Sequence, residues 1–195
     1  MTVKINADTS DGLKLESDTS GAIDFQSNGV TKMSIDASGN LSIDGRITKQ
    51  TQPAFKVTVG SAQDNLATGY NNLNFDTESF DVGSNFNTST KTFTAPVDGR
   101  YLFTATLGMK NLPLNGAWFI LQLVTTGNVI SDSTSTDQWD ASSDASSPTS
   151  FKTSGIVDLD ANDTAYVRFY QYGGTAQADV HTSHVYTRFT GILLG

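Results

Sequence analysis

At 195 residues the chain has room for one full domain and a smaller module. It carries 20 acidic against 12 basic side chains, a formal charge of −8, and no cysteine. Disulfide frameworks, thiolate zinc sites and thiol nucleophiles are thereby excluded, and the lack of any basic run argues against duplex nucleic-acid binding. The longest apolar run, Ala117–Leu121, is five residues against the ~20 that span a bilayer, and residues 1–6 carry no signal-peptide core, so neither membrane insertion nor a secretory leader is expected.

Eighteen of the acids are Asp and two, Glu16 and Glu78, are Glu; with 26 Thr, 21 Ser, 13 Asn and 17 Gly the chain is poor in helix formers and rich in turn residues. The expected fold class is all-β. From Ile5 to Ile47 two apolar residues separated by one other recur: Leu13/Leu15, Ile23/Phe25, Met33/Ile35 and Leu41/Ile43. Between them lie Ser17–Gly21, Ser27-Asn28-Gly29, Asp36-Ala37-Ser38-Gly39-Asn40 and Asp44-Gly45. Such spacing predicts very short strands joined by tight turns, each strand placing its apolar pair on one face. Four apolar pairs without a staple do not make a self-sufficient core. The segment 1–50 is therefore expected to be an oligomerising β stem whose copies wrap a common axis; a disordered polar leader is the alternative.

Pro53 opens a region of longer, more aromatic strands, 53–195. The expected strands are Ala54–Val59, Leu73–Phe75, Lys91–Thr94, Gly99–Leu107, Trp118–Thr125, Gly155–Leu159, Ala165–Gln171 and His184–Leu194. Alternation in Tyr101/Phe103/Ala105/Leu107, Val167/Phe169 and Val185/Thr187/Phe189 gives each strand one core-facing side. Eight or more strands without a convincing helix predict a sandwich or jelly roll.

Few residues form a catalytic pattern. His181 and His184, the chain's two histidines, lie three apart, which on a strand points them to opposite faces; ordinary polar or interface histidines are expected, and no metal site. No Gly-x-Ser-x-Gly elbow and no Walker sequence occurs, and Gly173-Gly174 lacks the lysine that would give it meaning. Asp158–Asp163 begins like a calcium loop, with oxygen ligands at loop positions one, three and five. It then has Asp163 where the turn glycine belongs and Phe169 where the bidentate Glu belongs, so a polar turn is expected. The Ser/Thr/Asp-rich stretch Ser131–Ser150 is expected to be a loop, with Gln138, Trp139 and Asp140 as candidate ligand-binding residues: the indole could stack on a sugar ring or anchor a partner, or simply pin the loop to its own domain. No catalytic residue is assigned.

The run Phe93-Thr94-Ala95-Pro96-Val97-Asp98-Gly99-Arg100-Tyr101-Leu102-Phe103 resembles the signature of the C1q-like globular domain, which shares a jelly roll with the tumour necrosis factors. Phe93, Pro96, Gly99, Tyr101 and Phe103 carry it, and the closing strand Phe189-Thr190-Gly191-Ile192-Leu193-Leu194 matches as well. The resemblance spans Phe93–Leu194, fits a head beginning near Pro53, and implies a homotrimer. Met33–Ile43 is similar to segments common in bacteriophage tail-fibre and other virion proteins. No collagen-like Gly-X-Y repeat or cysteine occurs in these 195 residues and no signal peptide is recognised, so a complement-type role is not expected.

Together these resemblances imply a non-enzymatic trimeric phage virion surface protein: a short fibre or attachment protein, its stem on other virion proteins and its head on a host surface glycan or protein. It would be made in the host cytoplasm and then exposed on the particle. A capsid-decoration or structural connector protein is the alternative. A glycan-cleaving tailspike with paired carboxylates ~5–9.5 Å apart is a third reading, weakened because turns already account for the Asp residues. No cofactor is expected; a calcium ion at the trimer axis, which some heads of this family permit, has no motif here.

Overall fold

The computed structural model describes residues 21–47, 49–113, 118–135, 148–175 and 177–194. The chain divides into two compact units, Met1–Lys49 and Gln50–Gly195. Among the described residues there are sixteen strands and no helix.

In the first unit β1 (Ile23–Ser27), β2 (Val30–Ile35) and β3 (Leu41–Ile43) form an antiparallel sheet in chain order. Asn28 and Gly29 join β1 to β2 with φ of 50° and 74°. Two consecutive positive φ values make the type I′ turn whose twist matches the flanking strands. Asp36 organises the β2–β3 turn: one carboxylate oxygen accepts the Ser38 and Asn40 backbone N–H groups, each at 2.9 Å, and the other accepts the Asn40 side-chain amide at 2.9 Å. The register sets Ile23 opposite Ile35 and Ile35 opposite Leu41, with Phe25 opposite Met33 and Met33 opposite Ile43. Six apolar side chains therefore share one face in two rows, and none of this unit's described residues is buried. Leu13 and Leu15 lie outside the described residues.

The second unit is a two-sheet antiparallel sandwich. Its strands are β4 (Ala54–Thr58), β5 (Gln63–Leu66), β6 (Gly69–Asn72), β7 (Thr77–Val82), β8 (Phe86–Asn87), β9 (Thr92–Thr94), β10 (Gly99–Lys110), β11 (Trp118–Thr125), β12 (Asn128–Ser135), β13 (Thr149–Leu159), β14 (Thr164–Tyr172), β15 (Ala178–Val180) and β16 (Arg188–Leu193). The first sheet runs β5-β15-β10-β16-β4-β7 with β13 on the other side of β10; the second runs β12-β11-β14-β9-β8 with β6 also on β14. The inward residues of both sheets meet in a phenylalanine-rich core. Phe55 of β4 stacks on Phe93 of β9 with centroids 5.0 Å apart and meets the edge of Phe189 of β16 at 5.0 Å. Further along, Phe119 of β11 and Phe169 of β14 stack at 5.7 Å, and Phe151 of β13 closes on both. Each such ring, almost wholly removed from water, contributes roughly 1.5–3 kcal/mol of transfer free energy.

The strand expectations need three corrections. Leu73 and Phe75 are buried but do not belong to a strand: the Phe75 N–H bonds back to the Leu73 carbonyl at 3.1 Å. Alternating burial reports a core-facing chain, whether or not a ladder forms. His184–Leu194 becomes a strand only at Arg188, because Tyr186 and Thr187 both donate backbone N–H groups to the Ser183 carbonyl, at 2.9 and 3.0 Å, and close a turn. Val185 accordingly points to solvent at 56% exposure and leaves the alternating set. Finally, the expected loop Ser131–Ser150 begins and ends in strands: Ser131–Ser135 completes β12 against β11, and Thr149–Ser150 opens β13 against β10.

Candidate binding surfaces

Among the residues singled out from sequence, Gln138, Trp139 and Asp140 lie outside the described residues. Phe93, Tyr101, Phe103 and Phe189 are core side chains, each 1% exposed or less. Pro96 sits in the exposed crossing between β9 in one sheet and β10 in the other, and Gly99 opens β10. Tyr101 keeps its hydroxyl useful inside the core by donating to the Val97 carbonyl at 2.8 Å, and burial raises its pKa above the ordinary phenol value. Gly191 lies where the chain passes closest to the rings of Phe55 and Phe103.

His181 and His184 do not converge. The His181 Nδ1 accepts the Ser183 backbone N–H at 3.0 Å and its ring meets Tyr186, while His184 lies in the exposed turn that follows. Burial first, then the Lys110 ammonium, lowers the His181 pKa below its ordinary value. Thr187, expected from alternation to face the core, is buried there and also anchors the turn: it donates to the His181 carbonyl at 2.6 Å and accepts the Gly108 N–H at 3.2 Å, which ties the turn to β10.

In the Asp158–Asp163 stretch the first two residues end β13 and Asp160–Asp163 form the β13–β14 turn. The Asp163 carboxylate accepts the Asp160 N–H at 3.1 Å, Asp98 accepts the Ala161 N–H at 2.7 Å, and Asn162 takes a φ of 76°. Asp158 stands on β13 and pairs with Arg100 at 3.1 Å. Among the described residues no group of three or more His, Asp or Glu could hold a metal ion.

Two outward faces of the sandwich stand out. On the first sheet the register aligns Ile156, Leu102, Ile192, Ala54 and Val82 in one row across five strands. Ile156 is 62% and Ile192 42% exposed, and Phe80 on neighbouring β7 is 50% exposed. A continuous apolar row of this kind is a surface that association would cover.

The second sheet presents rings and one cation. Trp118 lies opposite Tyr172 and Ile120 opposite Tyr170, which faces Tyr70 of β6. The centroids are 5.7 Å apart for Trp118–Tyr172 and 4.6 Å for Tyr70–Tyr170. In the next row the Arg168 guanidinium sits 4.0 Å above the Tyr70 ring and donates from Nε to the Gln122 side chain at 2.7 Å, while the Gln122 amide donates to Ser131 at 3.0 Å. Sequence reading followed Val167/Phe169 into the core; the intervening Tyr166, Arg168, Tyr170 and Tyr172 were the available signal for this face.

The C1q domain family model matches residues 54–194. Among solved structures, the globular domain of zebrafish complement 1qA protein is similar at TM-score 0.49 and 20% identity, over 74% of this chain and 98% of that one. Murine APRIL at pH 5.0 is similar at TM-score 0.51 and 11% identity, over 73% of this chain and 99% of that one. Murine APRIL at pH 8.5 is similar at TM-score 0.50 and 11% identity, with the same coverage. No curated protein sequence matches.

Proposed function

The chain belongs to the C1q domain family through residues 54–194, and from that premise we propose that it is a non-enzymatic homotrimeric binding protein of a bacteriophage particle surface. The observation that carries the trimer is the outward apolar row Ile156–Leu102–Ile192–Ala54–Val82, in which Ile156 and Ile192 are exposed and the other three half-buried. C1q and tumour-necrosis-factor folds commonly form homotrimers, and threefold association would take that row out of water. In this reading the first unit is a stem: its six-residue apolar face, with no buried side chain among the unit's described residues, packs against the same face of the other copies and attaches to other particle proteins. The particle context draws on the likeness of Met33–Ile43 to tail-fibre segments. Threefold symmetry then multiplies weak contacts made by the second unit into firm attachment.

Light scattering on the full chain and on residues 50–195 tests this. The full chain is expected at three times its monomer mass; a stable monomer overturns the reading. Labelled antibody on intact particles then distinguishes attachment from decoration: label at the tail supports a fibre, and label spread over the capsid supports a decoration protein.

A further inference from the structure

The outer face of the second sheet has no part in the trimer reading, and its chemistry is specific. Trp118, Tyr172 and Tyr70 are 57%, 57% and 60% exposed, a large aromatic area to leave in water when each ring would gain from being covered. Consecutive outward residues of a strand stand ~7 Å apart, so the Trp118–Tyr172 pair and the Tyr70–Tyr170 pair form two adjacent steps of one platform. Arg168 occupies the third step. In a chain of net charge −8 it is the single charged residue at the outward positions of β6, β11 and β14. Its Nε is held by Gln122 and its plane by Tyr70, which fixes the direction of the fork. Among the described residues no carboxylate forms an ion pair with it.

We propose that this face binds an acidic polysaccharide. A pyranose ring would lie with its C–H face on the Trp118–Tyr172 step, the chain would continue along the exposed edge of Tyr70, and a uronate carboxylate would accept from the terminal nitrogens of Arg168. Exposed rings side by side on an open sheet suit sugar rings, which are flat, apolar on one face and rimmed by hydroxyls. A cation with no acidic partner among the described residues, on three strands whose outward positions carry no acid, selects an anionic sugar over a neutral one. One isolated cation does not supply the basic track that a nucleic acid needs. The proposal deepens the surface-binding reading above, on which it rests, by naming the ligand class and its site.

The test is calorimetric titration of the full chain with hexasaccharides of galacturonate, glucuronate and mannuronate, and with neutral hexasaccharides of galactose and glucose. At least one uronate is expected to bind, more weakly as salt is raised, and its neutral counterpart to bind at least tenfold more weakly. Arg168→Gln is expected to bring the acidic sugar down to the neutral level, and Trp118→Ala to weaken both. Quenching of tryptophan fluorescence in the unaltered protein reports the same stacking without any substitution. Failure of all three uronates to bind, equal affinity for the neutral sugars, or unchanged affinity in Arg168→Gln overturns the proposal. Solution mass is read on the same samples. A trimer that binds no sugar removes the glycan face and leaves the trimer standing, whereas a monomer that binds uronate removes the trimer and leaves the face. Loss of the trimer in Trp118→Ala would show that a second copy covers the platform, and would also overturn the proposal.

Discussion

Gly191 and Gly155 lie in the same ladder, both opposite Phe103, yet a side chain is tolerated differently at each. A Cβ at Gly191 would stand 2.7 Å from the Phe103 ring and press on Phe55 as well, two rings that are fully buried and fixed by their neighbours. Overpacking of this kind costs about 1–3 kcal/mol, so Gly191→Ala is expected to lower the unfolding free energy by that amount. At Gly155 the new methyl would meet the end of Ile130, a half-buried side chain free to swing aside. Chemical denaturation of the two variants checks the ordering: Gly155→Ala should cost less than half as much. The resemblance named Gly191 from its place in a pattern; the two rings that forbid a Cβ there come from β4 and β10, distant in sequence, and could not be read locally.

The hairpins of the first unit are the elements most legible in the sequence. Asn28-Gly29 is the turn that a two-residue connection requires, and Asp36 four residues before Asn40 supplies acceptors for the next one. The Asp36 carboxyl is held below its ordinary value first by the Asn40 side-chain amide, then by the Asn40, Ser38 and Gly39 backbone groups. A carboxyl depressed in the folded form contributes stability above its ordinary pKa of ~3.9, and loses it as pH falls through the lower folded value. The Ser38 and Asn40 amide proton shifts are therefore expected to stay constant from neutral pH to about 4 and to move toward unfolded values below that. In Asp36→Ala they should be unfolded-like throughout. Edge strands were the opposite case. β7 reads Thr-Glu-Ser-Phe-Asp-Val and buries none of its residues, so it has no alternation to find; only its pairing with β4 makes it a strand. β5, β6, β8 and β15 are each four residues or fewer, too short for a period to show.

In the whole molecule the apolar row of the first sheet and the aromatic platform of the second lie on opposite outer faces of the sandwich, which lets one serve association while the other stays open. Ile156→Glu combined with Ile192→Glu tests the first role. Both side chains already face water in the single chain, so sheet content should not change. In a covered interface the new charges would be desolvated without partners, and the solution mass of residues 50–195, which lack the stem, is expected to fall from trimer to monomer. Retention of the trimer would mean that another surface holds the copies together.

Composition and alternation were sufficient for an all-β fold and for most of the core, because turn-rich, helix-poor segments with a period of two have few other ways to bury apolar side chains. The likeness carried by Phe93–Phe103 and Phe189–Leu194 extended this to a family. Register decided the rest. Whether Trp118 meets Tyr172, or Arg168 covers Tyr70, depends on which residues of separate strands lie opposite one another. That alignment is set by the packing of two sheets around common rings, a long-range constraint that no single segment contains.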